Sequence, residues 1–199
     1  MMTAKAEYRT ERIDHLGIVS GICQEVGLAE IIDQQVGIND RQVSVGQAVQ
    51  AMILNGLGFS SRPLYLTPEF FHNKPVDVLI GEGITADMLN DDSLGDALDR
   101  LYEAGVTELF ARIAASACAH YQIENRFHHL DSSSFHLHGA YDRQEPDQEA
   151  ITITYGYSKD HRPDLKQVVV QLITSYKSAL PIWFEALSGV KTLQSKRPR

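Results

Sequence analysis

Apolar positions recur at helical spacing over the first part of the chain and at every second residue over the last part. This change of period organises the sequence. From Ser20 to Val36, Ile22, Val26, Ile31 and Ile32 predict one helix, weakened at Gly27. Ser44 with Gln47 three positions on predicts a capping box. Val45, Ala48, Val49, Met52, Ile53, Leu54 and Leu57 then give a broad apolar face, which Gly56 and Gly58 close. Thr67-Pro68-Glu69 reads as a helix start ending near Asn73-Lys74-Pro75. Asp92 is placed to cap a helix carrying Leu94, Ala97, Leu98 and Leu101, with Gly105 at its C-terminal end. Thr107 is placed to cap the next helix, with Leu109, Phe110, Ile113, Ala114 and Ala117 inside.

The pattern changes near Tyr121. The stretches Arg126 to Leu137, Ile151 to Tyr157, Gln167 to Thr174 and Pro181 to Leu187 are rich in β-branched and aromatic residues and predict strands. His138 to Gln148 is a polar, acidic loop, and Tyr176 to Ala179 reads as a hairpin connection. Helices followed by a run of strands predict an α+β fold. The expected organisation is a helical N-terminal domain over 1–120, a strand-bearing region over 121–189 and a disordered basic tail over 190–199.

Composition narrows the class without naming a chemistry. Hydrophobic residues at 43% and charged residues at 22% fit a folded domain rather than a disordered chain. No apolar run approaches the roughly 20 residues of a membrane helix, and Met1 to Asp14 lacks the pattern of a signal peptide. A cytoplasmic protein with no membrane partner is expected. The net charge of −8 argues against broad, non-specific binding to phosphate backbones, though not against a local basic patch. Most of the excess acid precedes Tyr121. Cys23 and Cys118 lie far apart on apolar helical patterns and read as buried core thiols.

The candidate chemistry centres on Asp131, within Arg126-Phe-His-His-Leu-Asp-Ser-Ser-Ser-Phe-His-Leu-His138. Burying an unpaired carboxylate is costly, so an acid in such a strand binds a metal or sits where the sheet is open. Two readings stand: a structural hydrogen-bonding acid, or a ligand for a hard divalent cation. Strand alternation puts His129, Asp131, Ser133 and Phe135 on one face, and His128, Ser132, Ser134, His136 and His138 on the other. Asp131 therefore points away from the His136–His138 pair. That pair has a spacing used by zinc sites, but no third ligand is near it. The serines lack a Gly-x-Ser-x-Gly elbow, which argues against a serine hydrolase. Lys159, His161, Arg162 and Lys166 cluster with Asp160 and Asp164 around Pro163. They form a solvated turn or a set of phosphate contacts.

Four segments carry a family resemblance. They are His129-Leu-Asp-Ser-Ser-Ser-Phe-His136, Tyr155-Gly-Tyr-Ser-Lys-Asp-His-Arg-Pro-Asp-Leu-Lys-Gln167, Leu180-Pro-Ile-Trp-Phe-Glu-Ala-Leu-Ser-Gly189 and, in the helical region, Asp91-Asp-Ser-Leu-Gly-Asp-Ala-Leu-Asp-Arg-Leu-Tyr-Glu-Ala-Gly105. Together they make the chain resemble, over roughly Glu11 to Gly189, the N-terminal part of a bacterial insertion-sequence transposase of the DDE, RNase H-like type.

The resemblance implies that 121–189 holds the first strands of an incomplete, mostly antiparallel RNase H-like sheet. It makes Asp131 the first acid of a triad that holds two Mg2+ ions for phosphodiester cleavage and strand transfer. The partner it implies is DNA at the element ends, with Lys159, His161, Arg162 and Lys166 as the candidate DNA contacts. After Gly189 the family pattern of a second Asp and a Glu does not follow, and Glu185 does not match their positions. The expectation is a truncated transposase that is inactive alone, binds no Mg2+ stably and leaves an unpaired sheet edge prone to association. The alternatives are a DNA-binding or transposase-associating module that inhibits transposition, self-association as a homo-oligomer, and a small metal-dependent hydrolase built on Asp131 with nearby histidines.

Overall fold

The structure of the protein is a computed structural model. It describes residues 10–37, 41–60, 62–124, 126–141, 151–155, 162 and 164–188. The chain divides into two units, Met1–Ser116 and Ala117–Arg199, and the described residues form an α+β protein with seven α-helices and four strands.

In the first unit, α1 (Leu16–Val26) and α2 (Leu28–Val36) replace the single helix expected from the periodicity. Gly27 separates them in the left-handed region (φ 71°), where its N–H reaches the Cys23 and Gln24 carbonyls. Glycine takes this conformation without a Cβ penalty, so the weak point becomes a corner. α3 (Val45–Leu57) starts at the expected Ser44–Gln47 capping box. A second group completes that end: the Gly46 N–H donates to Asp33 Oδ1 of α2 at 2.7 Å. A Cβ at Gly46 would lie 2.5 Å from the Ala29 Cα, so only glycine lets α2 and α3 approach this closely.

Three expected helix starts shift. α4 (Thr67–Phe71) follows a 3-10 turn over Leu64–Leu66, and Thr67 is its first helical residue rather than its cap. The buried Thr67 hydroxyl instead accepts from Asn55. After α5 (Val76–Leu79) and a 3-10 turn at Ala86–Met88, α6 (Asp91–Ala104) is capped by Asn90, whose side chain accepts the Ser93 N–H. Asp92 lies in its first turn, where a negative charge favours the helix dipole. Gly105 ends α6 in the left-handed region, as its position predicts. α7 (Val106–His120) begins one residue before Thr107, which sits inside the helix.

α3 is the hub of this unit and packs on α1, α2, α4 and α6. Leu54, Phe71, Leu79, Leu89 and Leu94 are fully buried around it. The Leu79 carbonyl at the end of α5 accepts from both Ser20 Oγ (2.8 Å) and Gln50 Nε2 (2.7 Å). These buried polar groups are therefore paired. Cys23 is buried, and burial pushes its thiol pKa up. Cys118, expected to be buried, is only half-buried.

The second unit carries β1 (His128–Leu137), β2 (Thr154–Tyr155), β3 (Lys166–Ser175) and β4 (Pro181–Ser188). Every pairing is antiparallel. β3 is central: β1 lies along one side of it, and β4 and the short β2 pair with the other. The expected hairpin joins β3 to β4. The Ser175 N–H donates to the Leu180 carbonyl at 2.9 Å, and Ala179 takes φ 54°. A register shift between Ile173 and Thr174 bends β3 just before this turn. The acidic loop expected at 138–148 and the tail expected at 190–199 lie largely or wholly outside the described residues.

Candidate functional site

The register gives Asp131 its surroundings. It stands opposite Leu172 of β3, which stands opposite Phe184 of β4. Cross-strand partners share a face, so the carboxylate heads an apolar row, with Ser133 and Val170 forming the next row along. Asp131 is exposed, so the burial cost invoked from the sequence does not arise. One of its oxygens, Oδ1, accepts the Ser132 N–H at 2.8 Å. On the same face, His129 lies against Tyr176, with ring centroids 5.4 Å apart.

His136 lies on the opposite face, opposite Gln167 of β3. Glu185 stands opposite Gln171, also on that face, so it does not join Asp131. Gln167 is fully buried and its amide has no hydrogen-bond partner among the described residues. Among the described residues no group of three His, Cys, Asp or Glu side chains is placed to hold a metal ion.

The candidate DNA contacts do not converge on Asp131. Lys166 opens β3 opposite Leu137, and its ammonium donates to the Ala140 carbonyl. Its register position is six pairs from Asp131, about 20 Å along the strand. Arg162 makes a two-pronged ion pair with Asp164, both N–H···O distances being 2.9 Å. That hydrogen-bonded pairing raises the Arg162 pKa and holds the Asp164 carboxyl below the usual carboxylate range. Lys159 and His161 lie outside the described residues.

The helical unit supplies a cluster that sequence reasoning missed. The cluster does not lie on α3, which is the buried hub and exposes only Gly56 and Leu57. Elsewhere in that unit, Arg12, Arg62 and Lys74 line one cleft together with the exposed Phe59. They are far apart in sequence. The one local signal was a phenylalanine in the polar stretch Gly58-Phe-Ser-Ser-Arg-Pro63.

No described helix is long and apolar enough to cross a membrane. No curated protein and no solved structure matches the chain. One family model does match, over residues 8–115, which is more than half of the chain and nearly all of the helical unit; its description is "Domain of unknown function (DUF4277)". The chain therefore belongs to the DUF4277 family.

Proposed function

We propose that this protein belongs to the DDE-type insertion-sequence transposition machinery, with Asp131 as the first metal-binding carboxylate of an RNase H-like sheet and DNA as its partner. The observation that carries the reading is the place of Asp131. It is an exposed acid in the middle of the first strand of an antiparallel sheet, with apolar cross-strand neighbours and no cation paired to it among the described residues. An acid whose one described hydrogen bond is to the neighbouring Ser132 N–H, presented on an ordered strand, suits a metal ligand.

Two-metal phosphodiester chemistry needs several carboxylates to hold both ions in register. Asp131 is alone on its face of the described strands, since Glu185 lies on the other face and Asp164 is engaged by Arg162. We infer that this chain alone binds Mg2+ weakly and does not cut DNA. The test incubates the purified chain with supercoiled plasmid and Mg2+, beside Asp131→Ala. The expected result is no nicking above background from either protein. Nicking that disappears in Asp131→Ala overturns the inactivity. The metal-site reading is tested separately by titrating Mn2+ and following paramagnetic broadening of amide signals. Broadening centred on residues 130–132 and lost in Asp131→Ala supports it, and broadening unchanged by the substitution sinks it.

A second reading is favoured by the sheet edge. Among the described residues β1 is hydrogen-bonded only to β3, leaving its outer edge a template for another strand. On this reading the chain associates with itself or with a full-length transposase and inhibits transposition. Pull-down by the full-length enzyme, compared with gel shift on element-end DNA, separates this role from direct DNA binding.

A further inference from the structure

The helical unit holds a cleft of about 720 Å³ between the start of α1, the loop after α3 and the end of α4. Its floor is fixed by groups committed to holding the loop in place. Asn55, buried in α3, donates to the Arg62 carbonyl at 2.7 Å and accepts the Arg62 N–H at 2.8 Å. Gly58 passes so close to Phe70 that a Cβ there would lie 2.5 Å from the ring. On the other wall, the Arg12 N–H donates to the Asn73 carbonyl at 3.1 Å. Gly58 and Arg62, on either side of Phe59, are thus held in place, which lowers the ordering cost of binding.

This scaffold presents an aromatic ring in a cleft that three cations also line. Phe59 is 85% exposed, an unusual state for so large an apolar side chain. It is steadied from one side by His15, with ring centroids 4.4 Å apart. His15 is itself fixed by donating from Nε2 to the Leu57 carbonyl at 2.7 Å, and its buried Nδ1 has no partner among the described residues. The guanidinium groups of Arg12 and Arg62 make no hydrogen bond or ion pair among the described residues. The Lys74 ammonium is anchored over the Phe70 ring at 4.1 Å and donates to the Phe70 carbonyl. Burial lowers the Lys74 pKa, the nearby Arg12 lowers it further and the Asp14 carboxylate works against both. Three cations against Asp14 and Glu69 leave the cleft locally positive on a chain whose net charge is −8.

We propose that this cleft binds a nucleoside phosphate, with an unpaired base stacked on Phe59 and its phosphate held by Arg12, Arg62 and Lys74. A base stacked on an exposed aromatic ring beside cations that track the phosphate is the general mode of single-strand recognition. The same chemistry is offered by a free mononucleotide and by an unpaired strand end. The site involves neither Asp131 nor a metal ion, so it stands or falls separately from the catalytic reading.

The experiment measures binding of the full chain in buffer containing EDTA, so that metal chemistry plays no part. The probes are a fluorescent oligo-dT with a 5′-phosphate, the matching duplex and unlabelled dTMP as competitor. The expected result is single-strand binding weakened roughly tenfold or more in Phe59→Ala and retained in Phe59→Trp. In the double variant Arg12→Gln/Arg62→Gln the slope of log affinity against log salt should fall by about 1.4, or 0.7 for each lost cation. Lys177→Gln, an exposed cation of the sheet unit, should bind as wild type. Competition by dTMP at equal affinity assigns the site to free nucleotides, and tighter oligonucleotide binding assigns it to strands; either supports the proposal. Absence of binding, equal affinity for duplex, or variants that bind like wild type while keeping their far-UV circular dichroism would overturn it.

Discussion

The two units of this chain fold by different means. In the helical unit Leu54, Phe71, Leu79, Leu89 and Leu94 are wholly removed from water, and α3 gathers four other helices around itself. In the sheet unit no described strand residue of apolar type is fully buried; Gln167 and Ser175 are. Leu130 is 57% exposed, Phe135 53% and Trp183 38%, so both faces of the sheet retain apolar surface in contact with water. Hydrophobic burial dominates folding free energy, whereas backbone ladders add little net stability, since water bonds the unfolded strands too. The helical unit is therefore held by its core and the sheet unit largely by its ladder. The candidate carboxylate stands on the less stable of the two.

The sharpest way to break this contrast is to remove equal volumes from each unit. Leu54→Ala should destabilise the helical unit by about 2–5 kcal/mol, the range for a leucine cut from a packed core. Leu130→Ala in β1 should cost within about 0.5 kcal/mol, because its side chain is mostly in water already. Urea unfolding reads both. Trp183, the single tryptophan, lies in β4 and reports from within the sheet unit. Its fluorescence should change at lower urea than the helical signal in far-UV circular dichroism. Coincident transitions, or a Leu130→Ala loss as large as that of Leu54→Ala, would erase the distinction.

Two glycines sharpen the comparison within the helical unit. Gly46→Ala forces a methyl group into the Ala29 backbone and should cost about 1–3 kcal/mol as α2 and α3 are pushed apart. Gly21 lies in α1 with open space where its Cβ would be, so Gly21→Ala should stabilise by about 0.5–1 kcal/mol through helix propensity. The two melting temperatures should move in opposite directions. If Gly46→Ala leaves the melt unchanged, the close contact between α2 and α3 is not a constraint on packing.

What was legible in the sequence follows the same division. Local chemistry was readable: the Ser44–Gln47 box, Gly105 at the end of α6 and the period-two strands each depend on neighbours within a few positions. The misplaced caps differ in what displaced them. Thr67, Asp92 and Thr107 are all residues that favour helix starts, but each lies inside the helix it was expected to cap. Thr67 was taken by Asn55, and Asn90 stood two places before Asp92. Alternation along β1 separated Asp131 from His136, as the pairing register also does. The exposure of Asp131 was not readable, because it depends on what covers the strand rather than on the strand itself. The cleft around Phe59 was invisible for the same reason, since its cations come from three segments that only tertiary packing brings together.

The smallest expected effect concerns the surface of the sheet unit, where a charge pair should matter to titration and not to stability. Arg162 and Asp164 are two residues apart and fully exposed, and such pairs gain little against water and salt. The Arg162 hydrogen bonds lower the Asp164 pKa below its ordinary 3.8. A depressed carboxylate adds stability that is present above its unfolded pKa and lost as pH falls through the folded value, but residues two positions apart also pair in the unfolded chain, so little of this depression counts toward stability. The window therefore lies at and below pH 3.8. Asp164→Asn should leave the melting temperature unchanged at neutral pH. In the wild-type protein the Asp164 carboxyl signal should titrate below 3.8 by NMR, and Arg162→Gln should return it to the ordinary range. A melting temperature that falls in Asp164→Asn would mean that a surface ion pair helps hold the sheet unit together, and that its hydrogen-bonded ladder is not its main support.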